Sequence, residues 1–140
     1  YNIKVEQYIT SLEIEAETLN NLLKTHIIPC VISFKSQLLE NIRNVKELGT
    51  TLPKDSAEPE MSILKKLNEN LQLVIAGLSK LESSLAKASA LNDHSKKAKF
   101  FADNIVDIMD EIRKPCDALE MIVPDDLWTL PKYEEMLFIM

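Results

Sequence analysis

The sequence predicts an all-α protein, an antiparallel bundle of three long helices followed by a C-terminal tail. Apolar residues recur at alternating steps of three and four, which is the spacing of one face of an α-helix. The 140 residues include only 2 glycines, whereas sheets with tight hairpins consume glycine. Turn-forming residues cluster in two short segments, and these divide the chain into three helices.

The first helix is expected over about residues 3–48. Its apolar face consists of Val5, Tyr8, Leu12, Ala16, Leu19, Leu23, Ile27, Cys30, Phe34, Leu38, Ile42 and Val45. Pro29 predicts a kink, because proline removes one backbone hydrogen bond and its ring clashes with a carbonyl of the preceding turn. Gly49 follows the helix at the position where a left-handed residue commonly ends it.

The second helix is expected over about residues 60–91, after the turn-rich segment "TTLPKDSAEP". Pro59 suits the first turn of this helix, where a missing backbone N–H costs nothing. Its apolar face consists of Leu64, Leu67, Leu71, Val74, Leu78, Leu81, Leu85 and Ala88. Such a helix is unstable alone in water, so the pattern requires partner helices.

The third helix is expected over about residues 95–122, and "NDHS" before it offers capping side chains. Pro115 predicts a second kink. The apolar face consists of Ala98, Phe101, Ile105, Ile108, Ile112, Cys116, Leu119 and Ile122. Residues 123–140 form the tail, with a short helix expected from Lys132. Residues 1–140 thus form one helical domain, and a start at Tyr1 rather than Met indicates a fragment of a larger chain.

Two sets of apolar residues are candidates for docking. The tail carries several large side chains, which usually anchor an irregular segment to a surface. These are Trp128, Leu130, Tyr133, Leu137 and Phe138. Aligning the helices by their turns places residue x of the first helix beside residue x + 77 of the third. The first helix then overhangs by about 15 residues, up to Glu17, and exposes Val5, Tyr8, Ile9, Leu12 and Ile14 as a contact surface.

The sequence predicts no catalytic, cofactor-binding or metal site. A ferritin-like di-iron bundle needs Glu three residues before His. In this chain the residue three positions before His26 is Leu23, and the residue three positions before His94 is Leu91. His94 has Lys97 three residues on, as in phosphotransfer domains, yet it lies in a predicted turn rather than within a helix. We interpret His94 as a polar turn residue and His26 as a core or interface residue.

Charge and composition exclude several classes of partner. The net charge of −6 argues against a nucleic-acid partner. The longest apolar run, 27–34, is far shorter than the ~20 residues that cross a bilayer, so no membrane association is expected. Cys30 and Cys116 fit neither a metal site nor a disulfide framework, and we expect two reduced thiols in a cytoplasmic protein.

Two stretches are more particular than the helical periodicity. They are "VEQYITSLEIEAETL" leading into "HIIPCVISF", and "ADNIVDIMDEIRKPCDALEMIVPDDLWTLPKYEEMLF". Together they resemble the C-terminal region of glutamine synthetase type III, the large form found in many bacteria. The shared features are Glu15-Ala16 ahead of an Ile-Pro pair, the run with Arg113, Asp117, Leu119 and Glu120, and the signature from Asp126 to Phe138. The family commonly has Ala at the position of Cys30 and Pro at that of Thr129.

The resemblance implies a non-catalytic accessory domain of a ligase in nitrogen metabolism. The family joins ammonia to glutamate with ATP and Mg²⁺ or Mn²⁺, in a catalytic domain whose binding residues have no counterpart in this chain. It also implies that the partners are the chain's own catalytic domain and neighbouring subunits of a homo-oligomer. The alternative is a free-standing helical protein-interaction module whose tail only resembles the family.

Overall fold

A computed structural model describes residues 2–128, which form three long helices and contain no strand. The first long helix consists of α1 (Asn2–Leu22), a π-helical turn (Leu23–Ile27) and α2 (Ile28–Glu47). The second is α3 (Glu58–Ser89). The third consists of α4 (His94–Phe100), a second π-helical turn (Phe101–Ile105) and α5 (Val106–Ile122). The helix ends lie within two residues of those expected from the sequence, and the predicted all-α class is confirmed.

The three predicted apolar faces meet in one hydrophobic core. Its largest fully buried side chains come from all three long helices. They are Leu23, Val31, Leu67, Val74, Leu81, Phe101, Ile105, Ile112 and Leu119. Among the described residues no charged or polar side chain is buried as a whole, so burial of apolar area drives the packing.

The ends of the helices follow the predicted turn chemistry. Gly49 has a φ of +55°, the left-handed conformation that glycine adopts without steric cost, and a 3-10 turn (Gly49–Thr51) follows. Pro59 lies in the first turn of α3. The Asp93 side chain caps α4 by accepting a hydrogen bond from the backbone N–H of Ser95 at 3.0 Å.

The two π-helical turns are features that helical periodicity did not predict. In the first, the N–H of Ile28 donates to the carbonyl of Leu23, and Pro29 follows at the start of α2. A wider turn just before proline eases the clash between its ring and the preceding turn. Pro115 lies buried within α5, which continues past it. The kinks expected at the two prolines stay predictions.

Two helices, α3 and α5, come close together at Gly77 of α3. A Cβ atom at this position would lie 2.5 Å from Cγ1 of Ile112, a fully buried side chain of α5. Real side chains do not approach so closely, so only glycine allows α3 and α5 this separation. The two glycines of the chain therefore have separate structural roles, one in a turn and one at a helix contact.

We predict that Gly77→Ala destabilises the chain by about 1 kcal/mol. Alanine gains about 1 kcal/mol of helix propensity, but overpacking a filled core costs about 1–3 kcal/mol. Urea unfolding followed by tryptophan emission measures the net effect. In an Ile112→Ala background, which removes the contacted atoms, the same change should be neutral or stabilising. A Gly77→Ala protein more stable than the parent would contradict the close contact.

Candidate interaction surfaces

Among residues 2–128, no group of three or more His, Cys, Asp or Glu side chains is placed to hold a metal ion. Both histidines are exposed. The core alternative for His26 is therefore wrong, because His26 lies on the outer side of the first π-helical turn, and the interface alternative stays a prediction. No helix in this described part of the chain is long and apolar enough to span a membrane.

Two polar contacts join α1 to α4. The Oε1 atom of Glu6 lies 3.6 Å from Nε2 of His94, and Oε1 of Glu13 lies 3.1 Å from Nζ of Lys97. The residue offsets are 94 − 6 = 88 and 97 − 13 = 84, and not the constant 77 expected. The third helix thus begins beside Glu6 rather than beside Glu17, and the expected 15-residue overhang is wrong. The prediction assumed straight helices with one constant difference in residue number between neighbours. The difference between α1 and α4 changes from one contact to the other, so this assumption was a poor approximation.

The candidate docking residues of α1 therefore divide into two groups. Leu12 is half-buried and packs against the core, next to the buried Ile9. Ile14 is 59% exposed and Tyr8 is 43% exposed. Only Tyr8 and Ile14 remain available to a partner, whereas Leu12 belongs to the packing of the bundle itself.

Ile14 forms part of an outward-facing stripe on α1. Ile3, Gln7, Thr10 and Ile14 follow one another at helical spacing, and the face carries a shallow groove. The groove is lined by Ile3, Glu6, Gln7, Thr10, Ser11 and Ile14. We call the four spaced residues the α1 stripe. Its centre is uncharged and its two isoleucines are largely exposed, so it resembles the rim of a protein contact more than a solvated helix face.

The start of the tail packs onto the bundle. Trp128 is only 9% exposed and belongs to the hydrophobic core, as does Val123, while Leu127 packs against it. The indole N–H of Trp128 is buried without a hydrogen-bond partner. The other tail candidates, Leu130, Tyr133, Leu137 and Phe138, and the short helix expected from Lys132 lie outside the described residues.

Several further exposed apolar residues were missed by the sequence reasoning, and four of them lie in stretches without acidic residues. These four are Ile32 and Leu39 on α2, and Leu73 and Ile75 on α3. They lie beside the core-facing residues, so helical spacing alone does not distinguish them from the core. A signal was nevertheless present, because none of the 22 Asp and Glu residues falls within 18–39 or 70–81.

Both cysteines are free, as predicted. Burial raises the pKa of the Cys30 thiol. Burial also raises the pKa of Cys116 to about 12, with a further contribution from the neighbouring carboxylates of Asp117 and Glu120. Raised pKa values leave little thiolate, which is the reactive form, so we expect both thiols to react slowly in the folded chain.

The described residues thus form an all-helical chain of three long helices, and exposed apolar residues lie on each of the three. Residues 1–46, which comprise nearly all of the first long helix, match the family model described as the glutamine synthetase C-terminal domain. The resemblance to the C-terminal domain of type III glutamine synthetases is confirmed by relatives that align with almost the entire chain.

Three curated relatives define the extent of the similarity. The chain is 29% identical to the glutamine synthetase of Bacteroides fragilis, over 97% of this chain and 19% of that protein. It is 28% identical to the glutamine synthetase of Butyrivibrio fibrisolvens, over 99% of this chain and 19% of that protein. It is 30% identical to the type-3 glutamine synthetase of Dictyostelium discoideum, over 98% of this chain and 19% of that protein. The chain thus spans about a fifth of the length of these relatives.

Leu12 and Ile14 should respond differently to the same substitution. Leu12→Glu places a carboxylate against the core and should destabilise the chain by about 1–3 kcal/mol. Ile14→Glu, at an exposed site on the same helix, should change stability by less than about 0.5 kcal/mol. Urea unfolding of both variants makes the comparison, and equal effects of the two changes would contradict the packing described for Leu12.

Thiol labelling should be slow in the folded chain. With a pKa of about 12 rather than 9, Cys116 has about a thousandfold less thiolate at pH 8 than an ordinary cysteine. We expect two labelled thiols per chain in urea and little labelling without it. Below pH 9 the Cys116 thiol is neutral in both the folded and the unfolded chain, so the shift leaves stability unchanged there, and it lowers the stability of the fold as the pH rises from about 9 towards about 12. Labelling of native Cys116 at the rate of free cysteine would contradict its burial.

Proposed function

We propose that this chain is a non-catalytic C-terminal accessory domain of a type III glutamine synthetase. The single observation that carries the proposal is the unequal coverage in the alignments. Similarity extends over 97–99% of this chain but only 19% of each relative. Nearly all of this chain aligns, whereas about four fifths of each relative has no counterpart in it. This is the pattern expected when the chain corresponds to one domain of a longer enzyme.

In the proposed parent, the chemistry belongs to the part of the polypeptide that precedes this domain. That part would bind ATP and Mg²⁺ or Mn²⁺ and join ammonia to glutamate in the cytoplasm. The role of the helical domain is to support the catalytic domain or the assembly of subunits. A rigid apolar core of this kind provides surfaces at defined positions, and no chemical step is assigned to its side chains.

We also propose that the three long helices run up, down and up. The ion pair between Lys24 and Glu82 supports this arrangement. Lys24 lies 47 − 24 = 23 residues before the end of α2, and Glu82 lies 82 − 58 = 24 residues after the start of α3. Residues equally far from a shared turn are neighbours when two helices are antiparallel. Short connections between successive helices favour the same topology.

The α1 stripe is the proposed contact with the catalytic domain. It lies on α1, the first helical segment of the domain. A tethered neighbour has a high effective concentration at such a surface, so a modest apolar patch is sufficient for docking. Tyr8 lies on the same helix and is exposed, and it can extend the contact with an aromatic ring.

The full-length polypeptide that contains this chain provides the test. We expect glutamine formation from glutamate, ammonia and ATP by the full-length protein, and none by the 140-residue chain. Ile14→Glu in the full-length protein should lower the temperature of activity loss or reduce activity, because it places a charge in the proposed contact. Met121→Glu, at an 82% exposed site on α5, is the matched control and should have no effect.

Two results would contradict the proposal. The first is glutamine formation by the purified 140-residue chain, surviving repurification. The second is a gene in which no synthetase-like sequence precedes this chain, which would favour the free-standing interaction module instead. An effect of Met121→Glu as large as that of Ile14→Glu would remove the α1 stripe as the specific contact.

A further inference from the structure

A face of the bundle formed by α2 and α3 carries apolar side chains but no carboxylate. Residues 25–39 and 70–81 contain no Asp or Glu, although the chain has 22 of them and a net charge of −6. The exposed apolar residues of this region are Ile32, Leu39, Leu73 and Ile75. We call the exposed side chains of residues 25–39 and 70–81 the acid-free belt.

The two halves of the belt lie at the same level of the bundle. Lys24 and Glu82 form an ion pair at its edge. Ile32 is eight residues after Lys24 and Ile75 is seven residues before Glu82, which is about 12 Å and about 11 Å along antiparallel helices. α2 and α3 also pack directly against each other. Ile32 and Ile75 are therefore close to one level of the bundle on two neighbouring helices, whereas Leu73, two residues from Ile75, lies about 160° around α3 from it.

The spacing within the belt is that of a helix contact. Ile32 and Leu39 are seven residues apart, so they lie on the same face of α2, two turns from each other. Between them lies the exposed Ser36, and beside Ile75 lies the exposed Ala76. Small side chains between large apolar ones allow another helix to approach closely. The ionisable side chains in the two stretches are His26, Lys35 and Lys80, together with the buried thiol of Cys30.

We propose that the acid-free belt binds a second copy of this chain. Two copies with a charge of −6 repel each other, and close approach of carboxylates is costly. A face without carboxylates is the place where two such copies can meet at the lowest electrostatic cost. A twofold contact uses the same surface on both copies, so an apolar patch on one copy meets the same patch on the other.

The size of the belt suggests a weak dimer. Fifteen residues of helix are about 22 Å long, and two helices are about 20 Å wide. This is at or below the ~800 Å² per partner of a standard interface, so we expect dissociation in the micromolar range. The inference concerns the oligomer of the proposed function, but its test uses this chain alone. A negative result would leave the activity of the full-length protein as the separate test of the proposed function.

The test is the molar mass of the 140-residue chain in solution. Light scattering and sedimentation between about 5 and 200 μM should show a dimer of about 32 kDa, twice the chain mass of 15.9 kDa, in equilibrium with monomer. Added salt should strengthen the association, because it screens the repulsion between two acidic copies. A monomer throughout this range would overturn the proposal.

Paired substitutions locate the interface. Ser36→Glu and Ala76→Glu each place a carboxylate in the belt without removing an apolar side chain, and each should weaken association at least tenfold. Ser36→Gln and Ala76→Gln have the same size without the charge and should weaken it much less. Both positions are exposed, and circular dichroism checks that the four variants are folded.

Two further outcomes would overturn the assignment. One is a dimer that persists unchanged in both glutamate variants. The other is a dimer that is lost with Ile14→Glu but kept with Ser36→Glu, which would place the contact on the α1 stripe. Met121→Glu, outside both surfaces, should leave the dimer intact, and loss of the dimer in this control would also count against the belt.

Discussion

The close packing of α3 is the constraint on which the remaining structure depends. Its apolar face, from Leu67 to Ala88, is buried by the first and third long helices on either side. At Gly77 the backbone of α3 comes so near to Ile112 that no side chain fits between them. Because interiors are as dense as organic crystals, this contact determines how closely the third helix can approach and hence where α4 lies.

The position of α4 in turn decides which part of α1 remains exposed. Contacts from Glu6 to His94 and from Glu13 to Lys97 place the start of the third helix beside α1. The side of α1 that carries Ile9 and Leu12 is covered, while Ile3 and Ile14 face outward. Neighbouring apolar residues of α1 therefore differ in role. Ile9 and Leu12 stabilise the bundle, whereas Ile3 and Ile14 are accessible to a partner.

Charge and apolarity are distributed unevenly over this bundle. The third long helix carries Asp103, Asp107, Asp110 and Glu111, whereas residues 25–39 and 70–81 carry no acid. In an acidic chain, a region without carboxylates avoids repulsion from other acidic surfaces, including those of identical subunits. The similarity to glutamine synthetases over a fifth of their length is consistent with such surfaces, since a domain inside a larger assembly has several neighbours.

The sequence by itself determined the three helices, their ends and the free thiols. Apolar spacing, Gly49, Pro59 and Asp93 act within one or two turns of backbone, so local physics is sufficient to predict them. The signature that contains Trp128 was sufficient to identify the resemblance to type III glutamine synthetases. Only the tertiary structure decided the π-helical turns, the offset between α1 and α4, and the exposure of Tyr8, Ile14, Ile32 and Ile75. These depend on how three helices fit together, because the same apolar residue is core or surface according to the position of its neighbours.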